Sequence, residues 1–369
     1  MLDARERALA TVDLAAVRHN VRRLVKALRR PAVLCAVVKA NGYGHGAVPA
    51  ARAALEGGAT WLGVATATEA EELRGEGIDA PVLVFGPLTG DELRRATLAH
   101  AEVVVWSEAF LREALRLGAR VHVKFDSGMG RLGVDAAAAE ALCASSAAAS
   151  SLVGLMSHFA TADEEDDAFF RGQLERFATV AAELRKRHTK LLCHVANSAA
   201  TLREPQSHFD LVRTGIAVYG LSPFHDDPAK HDLRPALRLT SYLAGVRDVA
   251  AGDSVGYGRT FVAEGPARVG IVPIGYGDGV ARALSNRGDA LVCGRRCRIG
   301  GTISMDQLTV VLPDDVGRPG DEVVFIGESG DERVLAEDVA RLLGTVSNEI
   351  ACDVGTRVLR RYTGGVTLV

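Results

Sequence analysis

The sequence predicts an α/β fold: an N-terminal (β/α)8 barrel followed by a mostly β C-terminal domain. Three observations predict it. Short apolar runs of strand length alternate with helical stretches over residues 10–234, the alternation that builds parallel sheets. Eight such runs occur, the number a closed barrel needs. After Pro235 the helical stretches give way to short β-rich segments between Gly- and Asp-rich turns, as in a second, mostly β domain over 235–369. Residues 1–9 are expected to join that second domain. A chain of 369 residues is long enough for two cores.

In order, Thr11 to Arg30 places Leu14, Val17, Val21, Leu24, Val25 and Leu28 at helical spacing. Val33–Val38 is the first strand, and a helix follows near Ala47–Glu56. Trp61–Val64 is the second strand, and Thr66 with Glu69 opens a helix with a capping box. Pro81–Phe85 is the third strand, and Thr89 with Glu92 repeats the cap. Glu102–Trp106 is the fourth, before a helix opened by Ser107 and closed by Gly118. Arg120–Phe125, Leu152–Ser157, Leu191–Ala196 and Phe209–Arg213 complete the eight. In the second domain, Leu237–Val246, Arg268–Pro273, Ala290–Val292, Gln307–Leu312 and Glu322–Ile326 read as strands, and Leu335–Leu343 as a helix. An open doubly wound sheet would use the same elements. No GxGxxG follows the first strand, which counts against a dinucleotide-binding version.

The first strand ends in Lys39, followed by Ala40-Asn41-Gly42-Tyr43-Gly44-His45-Gly46. A lysine at the end of a buried strand is costly unless it is used. Desolvation lowers its pKa and prepares it as a nucleophile or base. A snorkelling or ion-paired lysine is the plain alternative. In a barrel, catalytic groups sit at strand C-termini. Here those ends carry Lys39, Lys124 with Asp126, Ser157-His158, Asn197-Ser198 and Arg213-Thr214-Gly215. Alternation puts His122, Lys124 and Asp126 on the face expected to point into the barrel.

Composition excludes several classes. The chain is 48% hydrophobic and 24% charged with a net charge of -3, as for a soluble globular protein with no nucleic-acid signature. No apolar run has signal-peptide or membrane-spanning character. The six cysteines lie mostly singly in apolar runs, which fits a reducing cytoplasm. Cys293 and Cys297 lack a second ligand pair and the histidines lack metal spacing, so no metal is expected. Glu164–Asp167 reads as a solvated helix start. Ala136–Ser150 reads as a helix plus surface loop. Gly275–Gly279 lacks the Lys-Ser/Thr of a phosphate loop and reads as a tight turn holding Tyr276.

Several stretches together resemble one family. Val38–Gly46 resembles the pyridoxal-phosphate (PLP) lysine motif of bacterial alanine racemases. Lys124–Gly133, Ser157–Ala160, Asn197–Ala200, Val212–Ile216, Val255–Gly258, Ile274–Gly279 and Ser304–Gln307 recur in the same order. The resemblance covers nearly the whole chain and implies PLP as cofactor. It implies a cytoplasmic homodimer with active sites shared between subunits, and interconversion of L- and D-alanine for peptidoglycan. It implies cofactor contacts at Lys39, Tyr43, His158, Asn197, Ser198, Arg213, and the backbone of Gly215 and Ile216. Lys39 would bind the cofactor and act as base on one face of the α-carbon. Tyr257 of the partner chain would act on the other face, as racemisation requires. A tyrosine, with an ordinary pKa of about 10, is a weak base at neutral pH without help, which the family draws from the equivalent of His158. Arg213 would face the pyridine nitrogen and disfavour its protonation. Arg131 and the Met305 backbone would hold the substrate carboxylate. Lys124 would be carbamylated, the alternative being a plain Lys124–Asp126 pair. Tyr276, Arg282 and Asp306 would shape the entrance. One departure is visible: Asn348-Glu349 stands where the family has Tyr-Glu, so Asn348 replaces a phosphate-contacting tyrosine with a shorter hydrogen-bonding group. A serine, lysine or broad-range racemase, a non-catalytic PLP barrel and a PLP decarboxylase are the other readings.

Overall fold

The structure, a computed structural model, describes residues 6–365. The outer ends of the expected second domain, residues 1–5 and 366–369, lie outside the described residues. The chain forms two compact units. One runs from Val17 to Val218; the other combines the residues through Ala16 with those from Tyr219 onward.

Strand β1 (Leu9–Asp13) belongs to the second unit, where it pairs with two strands from the far end of the chain. The compact unit Val17–Val218 lies within the expected barrel span of 10–234. Thr11, taken as a helix start, lies within β1, and the helix begins at Leu14. Eight parallel strands then follow: β2 (Val33–Val37), β3 (Trp61–Val64), β4 (Val82–Val84), β5 (Glu102–Val105), β6 (Val121–Lys124), β7 (Leu152–Met156), β8 (Leu192–His194) and β9 (Leu211–Thr214). They pair in sequence from β2 to β8, and β9 pairs with the free side of β2. Two backbone bonds join the remaining edges: Asp210 N–H donates to Cys193 C=O at 3.1 Å and Arg213 N–H to Ala196 C=O at 2.9 Å. The (β/α)8 barrel is thus present.

The strands are rich in Val and Leu because parallel barrel strands are buried on both faces. Helices between them start where the chain supplies caps. Thr66 with Glu69 and Thr89 with Glu92 form full capping boxes, and Ser107 accepts from Phe110 N–H; each cap contributes about 1 kcal/mol. Glu164–Asp167 precedes the helix Ala168–Arg187, and Asp167 pairs with Arg171 and Arg203 rather than standing solvated. Cys35 and Cys193 are buried, and burial pushes both thiols up to about 12.

The second unit contains β10 (Leu237–Tyr242), β11 (Gly245–Val249), β12 (Ser254–Val255), β13 (Phe261–Val262), β14 (Ala267–Val272), β15 (Asp289–Val292), β16 (Arg295–Arg298), β17 (Leu308–Leu312), β18 (Glu322–Ser329), β19 (Glu332–Val334) and β20 (Leu359–Thr363). One sheet runs β16-β15-β18-β10-β1-β20, with β19 on β18. A second runs β11-β14-β17, and β12 pairs with β13. The expected single strand Leu237–Val246 is two strands, in different sheets. A short helix, Ser347–Cys352, was not expected and carries Asn348. Among the described residues no helix is long and apolar enough to cross a membrane.

Candidate active site

Lys39 follows β2 directly, and the chain then makes a left-handed turn. Ala40, Asn41 and Tyr43 have φ of 52°, 52° and 51°, beside Gly42 at 61° and Gly44 at 81°. Left-handed backbone costs about 1–2 kcal/mol per residue with a Cβ, so something must hold it. Glu69 does. Its carboxylate caps its own helix and also accepts from Ala40 N–H at 2.7 Å and Ala65 N–H at 2.7 Å. Asn41 Oδ1 accepts from Ala47 N–H at 3.0 Å, and Gly46 N–H donates to Asn41 C=O at 2.8 Å. Strain of this kind persists where the surroundings over-determine the backbone. Here it places Lys39 and Tyr43 at the barrel's C-terminal end.

Tyr43 reaches β9. A Cβ added to Gly215 would lie 2.4 Å from Tyr43 Oη, so glycine permits this approach. Ser198 Oγ accepts from Gly215 N–H at 3.1 Å. The Thr214 hydroxyl between Arg213 and Gly215 is fully buried and lacks a partner among the described residues. Asn197, expected at the cofactor, uses its side-chain oxygen to cap the helix Ser198–Arg203 through Ala200 N–H at 3.0 Å. Ile216 opens a 3₁₀ turn, Ile216–Tyr219.

Four cations converge at this end. The His158 pKa is held well below the ordinary histidine value by surrounding protein, then by the charges of Arg213, Arg131, Lys124 and Lys39. Arg213 is buried and donates to Ser157 C=O at 2.7 Å, to His194 Nδ1 at 2.7 Å and to His158 Nδ1 at 3.2 Å. Lys124 is buried too. Burial, Arg131 and Arg213 push its pKa down to about 8. The nearest carboxylate, Asp126, is committed to the backbone N–H groups of Gly128 at 2.9 Å, Met129 at 2.7 Å and Gly130 at 3.0 Å. The expected alternative, a Lys124–Asp126 ion pair, is absent among the described residues. A cationic mouth whose Asp126 carboxylate is engaged by backbone N–H groups is suited to anions.

The second unit holds five further expected residues on one surface, with Asn348 apart from them in the helix Ser347–Cys352. Tyr257, Tyr276, Arg282, Met305 and Asp306 line a cavity of about 640 Å³ with Thr302 and Ser304. The loops are fastened together. Tyr276 N–H donates to Ser304 C=O at 3.1 Å and Gly277 N–H to Met305 C=O at 3.0 Å, while Thr302 Oγ1 donates to Tyr257 C=O at 2.9 Å. A Cβ on Gly275 would lie 2.2 Å from Ser304 C=O. Gly275–Gly279 is the expected tight turn, and Asp278 is its anchor. The fully buried carboxylate accepts from Arg7 Nη1 at 2.9 Å and Gly275 N–H at 3.0 Å, and Arg357 Nε lies 3.3 Å away. Arg357 also donates to Asp306 at 2.6 Å. Neither Arg7 nor Arg357 was singled out from the sequence; they come from opposite ends of the chain to meet Asp278.

Replacing Asp278 with alanine removes the carboxylate shared by the partly exposed Arg7 and Arg357 and leaves the buried Gly275 N–H without its acceptor. The expected loss is about 1–3 kcal/mol, read by denaturant unfolding. Burial opposes the Asp278 charge, but the bonds from Arg7 and Gly275 outweigh it and hold the pKa below its ordinary value of 3.8. Its contribution is therefore full above about pH 4 and is lost as pH falls through the folded-state pKa.

The geometry defines a class: a (β/α)8 barrel with a lysine-bearing cationic mouth, followed by a β domain with an exposed tyrosine surface. Residues 12–223 match the alanine racemase N-terminal domain, and residues 236–362 its C-terminal domain. An alanine racemase of Symbiobacterium thermophilum is 42% identical over 98% of this chain and 99% of its own. One from Thermobifida fusca is 42% identical over 97% and 99%. The crystal structure of alanine racemase from D-cycloserine-producing Streptomyces lavendulae superposes with a TM-score of 0.93 at 41% identity, covering 99% of each chain. The chain belongs to the alanine racemase family. The family's cofactor is PLP, and the site fits it. Tyr43, Ser198 and the unpartnered Thr214 hydroxyl offer donors to a phosphate, Lys39 offers an amine to the aldehyde, and buried Arg213 offers a cation to the ring.

Proposed function

We propose that this chain acts as a PLP-dependent alanine racemase, a homodimer working in the cytoplasm to supply D-alanine for peptidoglycan. One observation carries the reading of the site: buried Lys124 and Arg213 end their strands at the same barrel end as Lys39, Arg213 donating to His158, while Asp126 is committed to backbone N–H groups. PLP supplies an electron sink for the α-carbon; the protein supplies position and protons. Tyr43, Ser198 and the backbone of Gly215 and Ile216 hold the phosphate end, with Asn348 as a weaker contributor. His158 and Asn197 support the cofactor's surroundings, Asn197 by setting the Ser198 helix. Arg131 and the Met305 backbone receive the substrate carboxylate.

Lys39 Nζ removes or returns the α-proton on one face. Tyr257 Oη of the second subunit serves the other. Two groups are needed because inversion requires the proton to leave one face and arrive on the opposite one. Tyr257 is 73% exposed in the single chain, beside Met305 at 51% and Tyr276 at 43%, and a second subunit is the occupant of that surface. Arg213 disfavours a proton on the ring nitrogen, so the α-carbon is reprotonated rather than the cofactor. Tyr276, Arg282 and Asp306 line the entrance.

The purified enzyme, with PLP present, is assayed for racemisation against alanine, serine and lysine. Alanine is expected to be preferred. No turnover of any amino acid would leave only a binding protein, and equal rates would remove the alanine preference.

Lys124 is proposed to carry a carbamate that orients Arg131. The amine adds to CO2, forming a N–C bond and releasing one proton. This needs a neutral amine, and with a pKa of about 8 roughly one tenth is neutral at pH 7, far more than for an ordinary lysine. At fixed CO2 pressure, occupancy should rise from pH 6.5 to 8.5. Enzyme equilibrated with ¹³CO2 should show a carbamate ¹³C resonance that Lys124→Ala removes. A spectrum without that resonance would leave Lys124 a plain amine.

A further inference from the structure

The proposed chemistry does not use a chain of buried polar groups that runs behind Arg213. Arg213 is a donor only, so His194 Nδ1 accepts from it at 2.7 Å. His194 must then carry its proton on Nε2, which donates to His122 Nδ1 at 2.8 Å. His122 must in turn carry its proton on Nε2, which donates to Glu102 Oε2 at 2.6 Å. Arg120 Nε donates to the other Glu102 oxygen at 2.9 Å. An arginine at one end and a carboxylate at the other leave one self-consistent placement of protons, with both imidazoles neutral. Glu102 is 6% exposed and both histidines 0%, so the chain is closed to bulk solvent. Gly154 makes the room: a Cβ there would lie 2.5 Å from His122 Nδ1. Burial opposes the Glu102 charge, and the bonds from His122 and Arg120 outweigh it.

We propose that Glu102 is a positioning residue for the cofactor ring, acting through His122 and His194 to fix the direction in which Arg213 donates. Without an acceptor at Glu102, His122 turns its proton to Nδ1. His194 is then forced to become a donor toward Arg213, two donors oppose each other, and the guanidinium shifts. The proposal rests on the assignment of Arg213 to the pyridine nitrogen.

The test is ¹⁵N–¹H correlation spectroscopy of ¹⁵N-histidine-labelled holoenzyme at neutral pH, with signals assigned from single His→Gln variants. His122 and His194 are both expected to be neutral with the proton on Nε2. A proton on Nδ1, or on both nitrogens, in either ring of the wild type would overturn the proposal without any further variant. Glu102→Ala should mix or invert the His194 tautomer and lower kcat about 10- to 100-fold with KM within about twofold. Glu102→Gln retains an acceptor oxygen and should recover most of both. A Glu102→Ala enzyme with wild-type tautomers and kcat, even if it melts earlier, would show a merely structural role and overturn the proposal. Failure of the racemase reading would look different: the tautomers as expected, but no racemisation by the wild type.

Discussion

Lys39→Ala abolishes covalent cofactor attachment, removes the visible band of the bound imine and lowers racemisation by about 10⁴-fold or more. The size follows from two roles lost together, the cofactor's anchor and one of the two bases. The fold should survive. The bonds that hold the left-handed turn come from Glu69, Asn41 and the backbone, not from the Lys39 amine. Melting of the variant should therefore stay close to that of wild-type protein freed of cofactor. Absorbance, mass of the borohydride-reduced protein and circular dichroism give the three readouts. Colour and attachment retained in the variant would move the cofactor to another lysine, with Lys124 the next to test.

Tyr257→Phe is expected to produce an uneven defect. Proton exchange at the α-carbon of one enantiomer should fall by about 10²- to 10⁴-fold, while exchange from the other enantiomer continues through Lys39. Only the hydroxyl is removed and the ring stays, so packing in the Tyr257–Met305 surface is kept. The backbone anchor, Thr302 Oγ1 to Tyr257 C=O at 2.9 Å, does not involve the side chain. The measurement is loss of α-deuterium from labelled L- and D-alanine, each followed alone. Equal, mild losses from both enantiomers would contradict a two-base mechanism.

Much of the barrel was legible because its strands are short apolar runs, five of them closed by polar residues, and two helices open on Thr-x-x-Glu. The polar strand ends mattered most: Lys39, Lys124, His158, Ser198 and Arg213 fall there. Other features had no local signature. Strand β1 is short, and its partners lie near residues 240 and 360, so Thr11 was drawn into the helix that follows. Ala40 and Tyr43 show no preference for positive φ; Glu69, whose capping box was visible, holds the turn at Ala40 through a second contact that spacing does not reveal. Leu243 and Ala244 split an apparently continuous strand because the flanking halves join different sheets. Glu102 opens a strand and is buried only because His122 and Arg120 reach it from the next strand. Arg7 and Arg357 meet Asp278 from opposite ends of the chain, a pairing set by tertiary structure alone.

The central claim is that one site takes Lys39 from one chain and Tyr257 from another. Mixing the inactive Lys39→Ala and Tyr257→Phe proteins tests it directly. In a symmetric dimer, a mixed pair holds one site with both bases intact and one with neither. Random exchange at equal amounts makes half the dimers mixed, so activity should return to about one quarter of wild type. No return of activity, with subunit exchange demonstrated by tagged chains, would contradict the shared site.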